Sequence, residues 1–217
     1  MSKALLEHEA RQALTERGIT CVPGCFCRTD KEVIDAAKRI GYPVVLKIVS
    51  PDVVHKSDCG GVAVNLVDES SLADAYQKMM ANIRTKLPDA HIEGVLVTKH
   101  IQKAHEVIVG AIRDAQFGPV VMVGLGGVFV EVMKDVSFGI APVSKEEAMR
   151  MLSKLKSFRI LTGIRGEKSV NLDALCSVIS RVSHYAYENP VEELDLNPVF
   201  CTENAALVAD ARILLGE

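Results

Sequence analysis

Apolar residues recur along this chain with a helical period in some stretches and a strand period in others. Over residues 4–16, Leu5, Leu6, Ala10, Ala13 and Leu14 fall on one helical face. The same spacing returns over 30–40 with Val33, Ile34, Ala37 and Ile40, opened by Asp30 as the predicted N-cap and closed by Gly41. Pro43-Val44-Val45-Leu46-Lys47-Ile48 then reads as a strand, and residues 62–67 as a second. Residues 69–86 are predicted helical, with Leu72, Tyr76, Met79, Met80 and Ile83 turned inward, and 95–100 forms a strand. Between 106 and 142 lie three or four strands, with turns at Asp114 and Asp135. Helices follow near 144–156 and 171–187, then strands near 192–199 and 205–211 around the turn Thr202-Glu203-Asn204. This alternation predicts an α/β protein of two α+β lobes with a hinge near 97–105.

Composition narrows the partners. The 217 residues are 48% hydrophobic and 24% charged, with a formal net charge of -3 and both signs mixed along the chain. That balance argues against nucleic acid or an anionic membrane as the main partner. No apolar run has the length of a membrane span, and the opening residues lack the apolar core of a signal peptide, so a cytoplasmic protein is expected. Three of the six cysteines, Cys21, Cys25 and Cys27, cluster in a spacing that matches no common zinc pattern, which favours packing thiols over metal ligands.

Two familiar phosphate loops fail. There is no G-x-x-x-x-G-K-[ST], and Gly124-Leu125-Gly126-Gly127-Val128-Phe129 puts Phe where a dinucleotide fingerprint needs its last glycine. A cleft between two sheets is the alternative. Lys47, at the end of an apolar strand, is a compact charge for a phosphate oxygen, although a strand-end lysine by itself is more often just solvated. Eight residues on, His55-Lys56-Ser57-Asp58-Cys59-Gly60-Gly61 is a polar loop whose glycines permit close backbone approach. Asn197 and Asp210 are predicted in strands joined by a short turn, which brings an amide and a carboxylate oxygen together for Mg2+. Asp195 and Glu193 alternate onto the face of Asn197, and a row of acids on a half-buried strand is costly without cations to meet it.

At these residues the sequence resembles the ATP-grasp part of NDP-forming acyl-CoA synthetases. The resemblance runs through Gly41-Tyr-Pro-Val-Val-Leu-Lys-Ile-Val-Ser-Pro-Asp-Val-Val-His55-Lys-Ser-Asp-Cys-Gly-Gly-Val, Phe117-Gly-Pro-Val-Val-Met-Val-Gly-Leu-Gly-Gly-Val-Phe-Val-Glu131 and Glu193-Leu-Asp-Leu-Asn-Pro198, in that order. The opening helix from Glu7 to Gly18 and the turn Gly163-Ile-Arg-Gly166 fit as well, and the length matches the separate beta subunit of the ADP-forming acetate members. The resemblance implies an ATP-grasp fold with a nucleotide cleft between two lobes. Residues 1–20 plus 104–217 would form the larger, Mg2+ and nucleotide lobe, and 21–103 the smaller lobe with Lys47 and the His55 loop. Lys47 would bind phosphates, Val97, Thr98, Lys99 and His100 would meet the adenine edge, and Glu106 would sit in the nucleotide pocket. Gly60, Gly61 and the 124–127 glycines would shape loops near the phosphates, and Asn197 and Asp210 would hold Mg2+. His55 would be the second phosphohistidine of a relay that passes a phosphoryl group between ATP/ADP and a CoA-binding alpha subunit or fused domain.

The implied activity is acid–thiol ligation, acyl-CoA with ADP and phosphate giving acid, ATP and CoA. A non-catalytic nucleotide-sensing module, as in acyltransferase relatives, is the alternative; Lys47, His55, Asn197 and Asp210 occurring together favour catalysis. A ligase working directly through acyl phosphate would have no use for His55. One departure stands out: Gly139 occupies a position where the family often has arginine, which raises the expectation of a missing charge near phosphate.

Overall fold

The computed structural model describes residues 2–53, 56–127, 135–164 and 168–216, which divide into two compact units. The large unit is Met1–Cys21 with Lys103–Glu217, and the small unit is Val22–Gln102.

In the small unit, β2 (Gly24–Cys27), β5 (Gly94–Lys99), β3 (Val44–Val49) and β4 (Val62–Leu66) lie in that order in an antiparallel sheet. Two helices, α2 (Asp30–Ile40) and α3 (Glu69–Lys86), cover one face. The side chains beneath them are Val44, Leu46, Ile48, Val95 and Val97 from the strands and Val33, Ala37, Leu72, Met79 and Ile83 from the helices. Burial of such side chains contributes roughly 1.5–3 kcal/mol each. Asp30 is the first residue of α2 rather than its cap: the Thr29 hydroxyl accepts the Glu32 N–H, because Thr29 holds the extended backbone a cap requires. Gly41 ends the helix at φ 81°, where a side chain would be strained. Asp68 and Ser71 form a capping box that starts α3 at the predicted residue.

The large unit is built on a sheet ordered β1 (Lys3–Ala4), β11 (Arg212–Leu215), β9 (Val191–Cys201), β6 (His105–Asp114), β7 (Gly118–Leu125) and β8 (Val136–Ile140). A seventh strand, β10 (Ala206–Val208), also pairs with β9. Its core lies between one sheet face and α1 (Glu7–Glu16), α4 (Lys145–Ser153), α5 (Phe158–Leu161) and α6 (Leu172–Glu188). The C-terminal end of α6 is held by Arg113, which donates to the carbonyls of Ala186, Asn189 and Val191 at 2.9–3.3 Å.

Two sequence expectations need correction, and one strand was not predicted at all. The first helix starts at Glu7, because residues 3–4 pair with β11 as an edge strand. The strand β2 falls in a cysteine-containing stretch that is too short to show a period. The last predicted strand is two, interrupted at residues 209–211, since β10 and β11 bond to different stretches of β9. Among the described residues no helix is long and apolar enough to cross a membrane.

Candidate functional site

In the small unit, Lys47 lies in the middle of β3, between β5 and β4, not at a strand end. Its neighbours Leu46 and Ile48 enter the helical core, so alternation turns Lys47 to the helix-free face, together with Val45 and with Leu96 and Thr98 opposite on β5. It is only 7% exposed. A cation so placed is costly unless anionic or polar groups meet it, and its long aliphatic stem is what lets an apolar sheet accommodate it. Buried Thr98 presents a hydroxyl on the same face.

The end of β5 is committed to its own unit. The Lys99 ammonium donates to the carbonyls of Gly41 and Tyr42 at 2.8 and 2.9 Å, satisfying the end of α2. The backbone N–H groups of Lys99 and His100 donate to Pro23 and Pro43. Val97 points into the helical core.

His55 lies outside the described residues, but the closure of its loop is visible. The Gly60 N–H donates to Ser57 and the Gly61 N–H to Lys56, while the Gly61 carbonyl accepts from Ile48. A Cβ on Gly61 would stand 2.6 Å from Ile48 Cγ2. The glycine pair thus folds the loop tightly back onto β3, and these two amides are spent within it. Lys86 of α3 adds a bond to the Asp58 carbonyl.

In the large unit, β9 alternates cleanly: Leu194 and Leu196 enter the core, and Glu193, Asp195 and Asn197 take the helix-free face. The pairing of Val208 with Val199 and of Arg212 with Asp195 keeps one register across the 209–211 break, with the Ala209 N–H bonded to Pro198. That register puts Asp210 opposite Asn197, and opposed residues of an antiparallel pair share a face. Asp195 is held above the ordinary carboxylate range, first by burial and then by the negative charges of Glu193 and Asp210; Arg212 partly offsets them. Arg212 reaches Glu193 at 3.6 Å. Its position two residues beyond Asp210 in strand alternation was the available sequence signal for this counter-charge, and the motifs passed over it. The donor set, an amide oxygen and crowded carboxylates, fits a hard divalent cation such as Mg2+.

Glu106, in β6, meets the glycine loop. Its carbonyl accepts the Gly126 N–H at 2.6 Å, and a Cβ on Gly126 would come within 2.9 Å of its backbone. Gly127 has φ 72°, and a Cβ there would lie 3.4 Å from Glu106 Oε2. Gly124 instead admits Val136 of β8. Gly139 turns toward the helices, where a Cβ would be 2.8 Å from Met151 Sδ and 3.0 Å from Val143. An arginine at this position would start inside that packing, so the lack of one removes no charge from the helix-free face. Arg165, Phe129 and Glu131 lie outside the described residues.

The cysteine cluster does not hold together. Cys21 belongs to the large unit, bridged to Val208, whereas Cys25 and Cys27 are in β2 of the small unit. Among the described residues no group of three or more His, Cys, Asp and Glu is placed to hold a metal ion.

Residues 1–215 match the family described as the ATP-grasp domain. The chain is 45% identical to the acetate–CoA ligase (ADP-forming) I subunit beta of Pyrococcus furiosus, covering 99% of this chain and 93% of that one. It is 49% identical to acetate–CoA ligase (ADP-forming) I of Archaeoglobus fulgidus over 96% of this chain, and spans 30% of that longer protein. The structure superposes at TM-score 0.95 on the dinucleotide forming acetyl-coenzyme A synthetase 1 of Ca. Korarchaeum cryptofilum, solved with coenzyme A, Ca-AMPCP and HgCl+, at 44% identity and 99% and 94% coverage. A second structure of that enzyme holds coenzyme A and Mg-AMPPCP, with its phosphohistidine segment pointing towards the nucleotide binding site. It matches at TM-score 0.86 and 42% identity, covering 99% and 93%.

Proposed function

The chain belongs to the ATP-grasp family, among the ADP-forming acetate–CoA ligases, and from that premise we propose how its residues divide a phosphoryl transfer between phosphohistidine and ADP. It is the nucleotide-binding part of an acid–thiol ligase that works with a CoA-binding partner, separate or fused. The net reaction turns acyl-CoA, ADP and phosphate into acid, ATP and CoA, or runs in reverse.

The observation that carries the reading is the acid cluster beside Asn197 on β9, where Asp195 is raised by burial and then by the charges of Glu193 and Asp210. Asn197 and Asp210 would hold Mg2+, which when bound supplies positive charge to the phosphates. Lys47 meets phosphate oxygens from the small unit, where its burial strengthens the attraction. Glu106, backed by Gly126 and Gly127, lines the nucleotide pocket, and backbone groups of Val97, Thr98, Lys99 and His100 meet the adenine edge. His55 accepts the phosphoryl group as a neutral imidazole: the N–P bond forms at its ring as the bond to the donor histidine breaks. A β-phosphate oxygen of ADP then attacks phosphorus and the imidazole leaves. The loop closed by Gly60 and Gly61 carries this exchange, and we place it in the cytoplasm.

The test is phosphate transfer from γ-labelled ATP with Mg2+, comparing the native chain with His55→Ala, each alone and with its CoA-binding partner. Acid-labile, base-stable label on the native chain and none on the variant is the expected result. If label never reaches His55 while an active partner is present, the relay is wrong and a nucleotide-sensing module becomes the better reading.

A further inference from the structure

Helix α1 buries two charged side chains that the proposed phosphoryl transfer does not use. Glu7 and Arg11 are 5% and 8% exposed and lie one turn apart, on the side of the helix that carries the core residues Ala10 and Leu14. A guanidinium taken this far out of water is costly unless polar groups meet it. Arg11 donates through Nη1 to the Ala209 carbonyl at 3.4 Å, a buried contact that joins the first helix to a segment 198 residues away. Ala209 is the residue before Asp210.

Residues 209–211 separate β10 from β11 and take no part in the pairing with β9 on either side. The chain entering this break is gripped through its backbone. The Val208 N–H donates to Thr20 and the Ala209 N–H to Pro198, at 2.9 and 3.0 Å. The next peptide unit runs from the Ala209 carbonyl to the Asp210 nitrogen. Being planar it turns as one body, so a donor on its carbonyl sets the direction in which Asp210 leaves. Arg11 is such a donor, and it stands on a firm base. The Thr15 hydroxyl donates to the Arg11 carbonyl at 2.7 Å, and the Leu5 N–H donates to Ile213 at 2.9 Å, which ties the start of α1 to the strand after the break.

We propose that Arg11 is a positioning residue of the nucleotide site, holding the 209–210 peptide so that the Asp210 carboxylate is presented to Mg2+. This rests on the reading of Asp210 as a Mg2+ ligand. The other role open to a buried guanidinium here is counter-charge to the acids Glu193, Asp195 and Asp210, and the two roles predict opposite signs. A counter-charge competes with the metal for the carboxylates, so its removal strengthens Mg2+ binding. A positioning group preorganises the ligand, and loss of such support weakens metal affinity by about 10–100-fold. The contact to a neutral carbonyl favours positioning.

The experiment uses the full chain with its CoA-binding partner and follows ADP binding by calorimetry as Mg2+ is titrated, then again with a chelator in place of Mg2+. Arg11→Met should raise the Mg2+ concentration for half-maximal ADP binding by about tenfold or more. ADP affinity in the chelator should stay as in the native chain, since the metal is what Asp210 serves. Arg11→Gln takes its place if the melting temperature shows that Arg11→Met folds poorly. An equal loss of ADP affinity with and without Mg2+ would make Arg11 a structural residue and overturn the proposal. Asp210→Asn separates this proposal from the reading beneath it. If that variant loses the Mg2+ effect while the Arg11 variant keeps native affinity or binds Mg2+ more tightly, positioning is wrong and the metal reading stands. If Asp210→Asn responds to Mg2+ as the native chain does, the metal reading is wrong and the proposal falls with it.

Discussion

On the helix-free face of the small sheet Lys47 stands among Val45, Leu96 and Thr98, whereas the same face of the large sheet carries Glu193, Asp195, Asp210 and Asn197. Both sheets are antiparallel, and both bury their other face under helices with aliphatic cores. The difference teaches how each charge is tolerated. A lysine can lay its aliphatic stem along apolar surroundings while its ammonium reaches a polar or anionic group. Asp195 is left reluctant to ionise by its burial and, after that, by the neighbouring charges of Glu193 and Asp210.

The sharpest way to break this comparison is Lys47→Met. Transfer to or from ATP is expected to fall about a thousand-fold, the scale on which a preorganised charge acts on phosphoryl transfer. A melting temperature measured alongside separates loss of the phosphate contact from loss of fold. A loss of rate under about tenfold, read by single-turnover kinetics, would leave Lys47 a structural residue. Next comes a pair of neighbours on opposite faces of β9. Leu196→Ala should cost about 2–5 kcal/mol by urea unfolding, and Asn197→Ala should change stability by less than about 0.5 kcal/mol while raising the Mg2+ concentration needed for activity. Equal destabilisation by both would mean the faces are misassigned. Smaller again, Gly139→Arg is expected to destabilise by about 1–3 kcal/mol through overpacking against Met151 and Val143. A gain in turnover from it would show that its charge does reach the phosphates.

The smallest effect concerns pH. Because Asp195 is raised in the folded state, the native protein holds that proton more tightly than the unfolded chain does. Its contribution favours the fold at low pH and is lost as pH climbs from about 4, the ordinary carboxylate value, through the raised one. Asp195→Asn should flatten that part of a melting-temperature profile, and Mg2+ with nucleotide should flatten it in the native chain. A profile identical in wild type and variant would put Asp195 outside the acid cluster.

Legibility followed period and length. The helix Glu69–Lys86 could be read to the residue because its apolar stripe is long and Asp68 marks its start. β1 and β2, of two and four residues, are too short to carry a period. The hairpin idea placed Asn197 in a strand, as β9 does, but Asp210 lies in the break between β10 and β11, so the relation of the two depends on a register that continues across that break. Lys47 looked like a strand end because the sequence could not reveal that β4 and β5 flank it on both sides. The 60–61 glycines were legible as loop formers, whereas the spending of their amides on Ser57 and Lys56 was not.

What the sequence determined by itself was the alternation of helix and strand, the glycine that ends α2, and the ordered motifs that identify the family, all of them matters of local spacing. Tertiary structure alone decided which face each charge occupies, that Gly139 points into helix packing, that Cys21 parts from Cys25 and Cys27, and that Arg11 meets the Ala209 carbonyl. These depend on partners far away in the chain. A side chain's environment is set by what the fold brings against it, and spacing along the chain cannot supply that.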